Sequence, residues 1–385
     1  MSRQASHKDT LLAVGLMSGT SADGIDAALV TVSRNPRRLR LLHYMETPHQ
    51  EPLRRRILDA AAGRAHTGEL CRLHSALGAA FGEAVVALCK AAEVAPEELD
   101  IIGSHGQTVW HAPDANPPAT LQLGNGAVIA RRTGCPVVAD FRAADLAVGG
   151  QGAPLAPITH HLMFTSPEKN RAVLNLGGIA NVTWLPAGGA AEDVLAFDTG
   201  PGNMVVDGLA ARFSGDAEKM DRDGARAARG TVNGPLLDEL LAHPYLALPL
   251  PKSTGREMFG EGFVQKLIER GLERELSPDD LIATATCFTA RTVADAIRGL
   301  ERERHPDELL LCGGGVHNPV LLALLEGELP GVGMIPVDTL GVPADALEAM
   351  VFADLACRAV WGETGNLPAV TGARQEVLLG AVNPV

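Results

Sequence analysis

The chain lacks the residues that several common chemistries require. Its six cysteines (Cys71, Cys89, Cys135, Cys287, Cys312, Cys357) never come closer than 18 positions, so there is no C-x-x-C redox or zinc pair. Most sit among apolar neighbours, which predicts buried free thiols and a reducing, cytoplasmic setting. Basic residues are outnumbered 33 to 46, a formal charge of −13, which argues against nucleic acid or an anionic membrane as the main partner. No apolar run reaches the ~18 residues of a membrane span, and Met1–Thr10 is polar, without a signal-peptide core, and reads as a loose extension. No lysine follows a glycine, so there is no G-x-x-x-x-G-K-[ST]; G-x-G-x-x-G, H-E-x-x-H and G-x-S-x-G are absent too. P-loop kinases, dinucleotide dehydrogenases, zincins and α/β-hydrolases are thereby set aside.

Glycine, by contrast, is abundant and placed between apolar runs. The stretch Gly15–Asp26 lies between Leu11–Val14 and Ala27–Val32, which read as strands of a hairpin. Successive N–H groups in such a turn form an anion-binding concavity. Gly19, Thr20, Ser21, Ala22, Asp23, Gly24, Ile25 and Asp26 therefore read as a triphosphate loop, with Asp23 and Asp26 able to organise magnesium directly or through water. A second glycine turn, Asn175–Asn181, carries Gly177 and Gly178. The run Phe197–Asn203 places Asp198 at the end of a strand, beside a helix that Asn203 is expected to cap; an acid there is positioned for general-base work. A third turn, Cys312–Asn318, brings Gly313, Gly314 and Asn318 to a helix start suited to a nucleotide. His105, Gln107, Arg142, Gln151 and Glu348 are candidates for substrate contact. The role of Pro251–Glu257 is open at this level.

Both halves start with three strands, near residues 11 and 171, and continue with alternating helices and strands. This predicts a duplicated α/β fold, actin-like and ribonuclease-H-like, with two domains around an interdomain cleft. The expected domains are 1–143 and 144–373, with 374–385 returning to the first and 144–157 as hinge.

Eight motifs in order (Gly15–Asp26, Gly103–Thr108, Asp140–Pro154, Asn175–Val182, Phe197–Asn203, Asp221–Gly224, Pro251–Glu257 and Cys312–Asn318) resemble those of the anhydro-N-acetylmuramic acid kinases, from about Leu12 to the C-terminus. The resemblance implies an ATP- and Mg2+-dependent enzyme of peptidoglycan recycling, a homodimer acting on a small anhydrosugar. It would open the 1,6-anhydro bond with water and phosphorylate the sugar, giving N-acetylmuramic acid 6-phosphate and ADP. It assigns ATP phosphates to Gly19–Asp26, the catalytic base to Asp198 and sugar binding to Glu348. The residues alone leave open an ordinary carbohydrate kinase or a non-catalytic actin-like ATP switch.

Overall fold

The computed structural model describes residues 7–215, 217–250, 252–300 and 304–385. The first six residues and Pro251, both part of expectations above, lie outside them. The chain divides into two compact units, Met1–Met163 with Asp345–Val385, and Phe164–Ala344.

In the first unit, β1 (Thr10–Ser18), β2 (Gly24–Ser33) and β3 (Arg38–Pro48) form an antiparallel meander. β1 runs parallel to β4 (Ile101–Ala112), which runs parallel to β6 (Val137–Ala139). β5 (Ala119–Leu123) is a side hairpin on β4, and β12 (Ala381–Asn383) closes the edge on β6. The order is β3-β2-β1-β4-β6-β12.

In the second unit, β7 (Arg171–Leu176), β8 (Ile179–Leu185) and β9 (Leu195–Pro201) repeat the meander. β10 (Glu308–Cys312) and β11 (Gly333–Pro336) extend it in parallel, in the order β9-β8-β7-β10-β11. Both sheets therefore show the same order and strand senses, the ribonuclease-H-like arrangement of actin-type kinases. The duplication read from strand spacing is present in hydrogen-bonded topology.

Strand periodicity explains how each sheet is covered. Successive side chains on β1 point to opposite faces. Val14 and Leu16 join Leu73, Leu77, Phe81 and Val85 of the helix Thr67–Ala91 in one core. That helix is long and apolar enough to cross a membrane, a feature the search for uninterrupted apolar runs passed over. Its apolar residues are used in the core instead. Gly15, on the other face of β1, and Gly103 of β4 lie under the helix Leu347–Trp361. A Cβ at Gly15 would stand 1.8 Å from the Ala349 carbonyl oxygen, and one at Gly103 would stand 2.0 Å from that of Phe352. In the second unit the helix Pro278–Arg298 serves two cores. Val293, Ala294 and Ile297 pack on the sheet, and Leu281 and Phe288 pack with Leu209, Tyr245 and Phe259.

This packing moves the expected boundaries. The chain leaves the first unit after Met163 rather than at 143/144, and returns at Asp345 rather than at 374. The reason is the seating of helix Leu347–Trp361 on β1 and β4. The expected hinge glycines lie inside the first unit. There the buried Asp145 accepts from the Gly152 N–H (2.7 Å), Asn366 Nδ2 (2.7 Å) and the Thr371 hydroxyl (2.8 Å). Nor is all of Met1–Thr10 loose: the Lys8 carbonyl accepts from Trp361 Nε1 at 2.9 Å. Substituting Gly103 by Ala forces a methyl into the helix backbone. It is expected to cost about 3 kcal/mol or more, read as a lowered midpoint in denaturant unfolding; an unchanged midpoint would refute the close-packing account.

Candidate active site

The first unit gathers the hairpin loop and most of the proposed sugar contacts. Gly19–Asp23 forms the turn between β1 and β2, and Ala22 adopts φ +55, a left-handed conformation uncommon for alanine. The Asp23 side chain is 64% exposed, 3.4 Å from the Arg54 guanidinium. Asp26 lies one turn deeper, on β2. Burial pushes its carboxyl up to about 6, helped by the nearby charges of Glu46 and Asp345, while the hydroxyl donated by Tyr44 (2.7 Å) opposes the shift. Glu348 begins the helix Leu347–Trp361 and is exposed to solvent. Crowding by protein raises its carboxyl, the charge of Asp26 adds to this, and Arg142 opposes it. Accessibility decides its chemistry: a carboxylate that solvent can reach is one that a ligand can reach.

Arg142 is anchored from behind. Its Nε and Nη2 donate to Nε2 of the buried His105 (3.1 and 2.9 Å), and Nη1 donates to the Gly152 carbonyl (2.8 Å). His105 Nδ1 donates to the Gly106 carbonyl at 2.9 Å, which leaves Nε2 as an acceptor and fixes the neutral tautomer. Burial first, and then Arg142, hold the His105 pKa well below its usual value. His105 is thus a support for Arg142 rather than an exposed contact. Gln107, only 1% exposed, directs its amide to the hairpin loop. Gln151 is exposed and donates its backbone N–H to the Thr371 carbonyl.

The second unit holds Asp198 and the other glycine turns. Asp198 lies on β9, with Oδ2 accepting the Thr254 N–H at 2.9 Å. Its backbone is pinned as well: its N–H donates to the Lys252 carbonyl (2.9 Å), and its carbonyl accepts the Tyr245 hydroxyl (2.7 Å). The polar run after Pro251, which composition left without a role, is the support of Asp198. Burial raises the carboxyl to about 7; the Thr254 N–H opposes the shift, and Glu257 adds a smaller further push. A carboxyl balanced near neutrality, with one oxygen held, suits proton abstraction.

Around it, Asn203 Nδ2 donates to the Leu176 carbonyl at 3.0 Å. The expected side-chain cap is absent: the helix Met204–Ser214 starts at Asn203 without it. The amide instead ties two loops together. Asn318 is a true cap, accepting from the N–H groups of Val320 and Leu321 at 3.1 Å. The glycines fall into two sorts. Gly313, with φ +79, is packed, since a Cβ would lie 2.2 Å from Asn175 Oδ1. Gly178 is tight against Met204. Gly19, Gly177 and Gly314 would meet nothing closer than 3.8, 3.4 and 3.9 Å, so among the candidate nucleotide-site glycines these three leave space for an approaching ligand. The Asp221–Gly224 motif is structural: Asp221 accepts the N–H groups of Arg226 and Ala227.

Magnesium needs one or two carboxylates, since phosphate oxygens and water complete its shell. Asp23, open to solvent, fits such a role. Asp26, already bonded to Tyr44 and disfavoured as an anion, fits it poorly. Among the described residues no three His, Cys, Asp or Glu converge on one point. Tyr44, Thr254 and Tyr245 were not singled out by sequence. Their signal lies in contacts distant along the chain.

Asp198 carries a stability signature. An unfolded Asp ionises near 3.8 and the folded one near 7, so stability falls as pH rises through this interval and levels off above it. Asp198→Asn removes that penalty and is expected to raise the melting temperature at pH 8 but not at pH 4. Equal shifts at both pH values would refute the buried-charge account.

The anhydro-N-acetylmuramic acid kinase family matches residues 11–385. A curated relative of that name from Caldanaerobacter subterraneus subsp. tengcongensis is 42% identical, over 98% of each chain. One from Salinibacter ruber is 46% identical over 96% of this chain and 95% of its own. Among solved structures, a ROK family glucokinase from Streptomyces griseus in complex with glucose and AMPPNP aligns over 90% of this chain and 99% of its own, at 14% identity and a TM-score of 0.38. The family match, together with 42% and 46% identity to two named relatives over nearly the full length, shows that the chain belongs to the anhydro-N-acetylmuramic acid kinase family.

Proposed function

We propose that the two sets of residues divide the work of a hydrolytic phosphoryl transfer. The phosphoryl donor is ATP, as for the kinase family, and the acceptor is the 1,6-anhydro sugar. The observation that carries the reading is the Asp198 carboxyl, half-buried, held by the Thr254 N–H and balanced near pH 7.

In this reading Asp198 takes a proton from water, and the water oxygen bonds to the anomeric carbon. The bond from that carbon to O6 breaks, and its electron pair stays on O6. O6 then bonds to the γ-phosphorus as the bond to the ADP oxygen breaks. The products are N-acetylmuramic acid 6-phosphate and ADP. Phosphoryl transfer asks little covalent chemistry of a protein, and positioning with charge compensation supplies most of the rate.

The Gly19–Asp26 loop offers backbone N–H groups to the phosphates, and the open faces of Gly177 and Gly314, with Asn203, serve the nucleotide. Asn318 acts through its helix cap. Glu348 and Arg142 contact the sugar, His105 holding Arg142 in place, and Gln151 offers an exposed amide. Magnesium, held by Asp23, would neutralise charge on the phosphates; Asp26 then belongs with Tyr44 and Glu348 more than with the ion. We further propose a cytoplasmic homodimer. Five buried cysteines and the exposed Cys71, all unpaired, support the reducing compartment.

Turnover in ¹⁸O-water tests the chemistry. Label is expected at the anomeric hydroxyl of the phosphorylated product; its absence would leave an ordinary sugar kinase, and no sugar-dependent ADP release would leave an ATP switch. Asp198→Asn is expected to lower kcat by about a thousandfold or more with ATP binding retained. For the wild type, kcat is expected to fall as pH drops below about 7, as Asp198 takes up its proton.

A further inference from the structure

The hairpin loop is held by a chain of buried side chains. Gln107 Nε2 donates to the Gly19 carbonyl at 3.0 Å, and that carbonyl also accepts the Ala22 N–H at 3.1 Å. The Ser18 hydroxyl lies 2.7 Å from Gln107 Oε1 and 2.8 Å from the Gly24 carbonyl, two acceptors for one hydrogen. His49 Nε2 lies 3.1 Å from Ser18 Oγ, and the His49 backbone N–H donates to the Asp23 carbonyl at 2.8 Å. Burial holds the His49 pKa below its usual value, so its ring is neutral near pH 7. With the proton on Nε2 the bonds acquire one direction, from His49 to Ser18 to Gln107 to the Gly19 carbonyl.

Burial separates this group from the sugar contacts. Ser18 and Gln107 are each 1% exposed and His49 8%, whereas Glu348 and Gln151 are exposed. Both functional ends of the Gln107 amide meet the loop or its stem. The consequence for the loop follows from peptide geometry. In a trans peptide the N–H points opposite to the C=O. With the Gly19 carbonyl drawn toward Gln107, the N–H of Thr20 is aimed away from it. Ser18 and Gln107 are register partners on β1 and β4, beside a bulge between Leu16 and Ser18. The brace therefore stands where the regular ladder ends and the loop would otherwise be free to rotate.

We propose that Gln107, with Ser18 and His49, positions the loop that receives the ATP phosphates and does not contact the sugar. This rests on the assignment of ATP to Gly19–Asp26 made above. A Gln107 amide that sets peptide orientation acts on nucleotide binding and on the alignment of the transferred phosphoryl group. It leaves sugar affinity alone.

Steady-state kinetics with each substrate varied in turn tests it. Gln107→Glu keeps the shape of the side chain but removes the donor to Gly19. It is expected to raise KM for ATP about tenfold or more, with KM for the anhydrosugar within about twofold of wild type. Ser18→Ala is milder and is expected to act in the same direction by about threefold or more, which keeps the test available if the Gln107 variant misfolds. Ser18→Thr, which restores a hydroxyl, is expected to recover part of the loss. A raised sugar KM with unchanged ATP KM in either loss variant would overturn the proposal. Gly19→Val separates the two assumptions, since a Cβ there meets only Ser21 Oγ at 3.8 Å. If Gly19→Val leaves KM for ATP unchanged, the phosphate-loop assignment fails. If it raises KM for ATP and the Gln107 and Ser18 variants do not, only the positioning role fails.

Discussion

The first unit depends on one close approach, of the helix Leu347–Trp361 to strands β1 and β4. Two glycines, Gly15 and Gly103, leave helix backbone where side chains would stand. Any larger residue would push the helix off the sheet. The approach does more than close a core. It draws a segment from the far end of the chain into the unit that carries the hairpin loop, and Glu348 arrives with it, within range of the charges of Asp26 and Arg142. Loss of water raises both carboxyls first; the charges of Glu46 and Asp345 add to the rise at Asp26, and that of Asp26 adds to the rise at Glu348.

In the second unit the deciding effect is desolvation of a single carboxyl. Asp198 loses water and keeps one N–H donor, from Thr254, too little to restore an ordinary aspartate. Its backbone is fixed on both sides by Lys252 and Tyr245. The protein therefore holds an energetically unfavourable acid in a rigid place, the compromise expected if Asp198 has the proton-transfer role proposed above. Asp145 and Asp354 show the contrast. Both are fully buried, but each has several donors: Gly152, Asn366 and Thr371 for Asp145, and Arg37, Arg358 and Thr159 for Asp354. Nothing about them favours a reactive form.

Residue-level readings succeeded where the signal was local and failed where it was not. The strands flanking Gly15–Asp26 and the strand leading to Asp198 are apolar runs ended by glycine, and both were legible. So was the duplication, because three strands in a row followed by alternation leave few ways to order a sheet. Asn203 stands at the N-cap position the sequence indicates, but its side chain does not cap the helix, because its amide is committed to the Leu176 carbonyl at the end of β7. Gln107 and His105 were read as substrate groups because polar residues ending an apolar strand look available. Their burial depends on neighbours far away in sequence. The helix Thr67–Ala91 shows the same limit in reverse, since its apolar length does not say which face a sheet will cover.

What the amino-acid order determined by itself was the set of elements, the glycine turns, the excluded chemistries and, through eight motifs in order, the family. Those follow from periodicity, turn stereochemistry and residue type, which act over a few positions. Tertiary structure decided the unit boundaries, the company of Glu348, the desolvation of Asp198 and the inward use of Gln107 and His105. Each depends on solvent exclusion by segments dozens to hundreds of positions apart. A pKa or a hydrogen-bond partner is a property of surroundings, and surroundings exist only once the chain has packed.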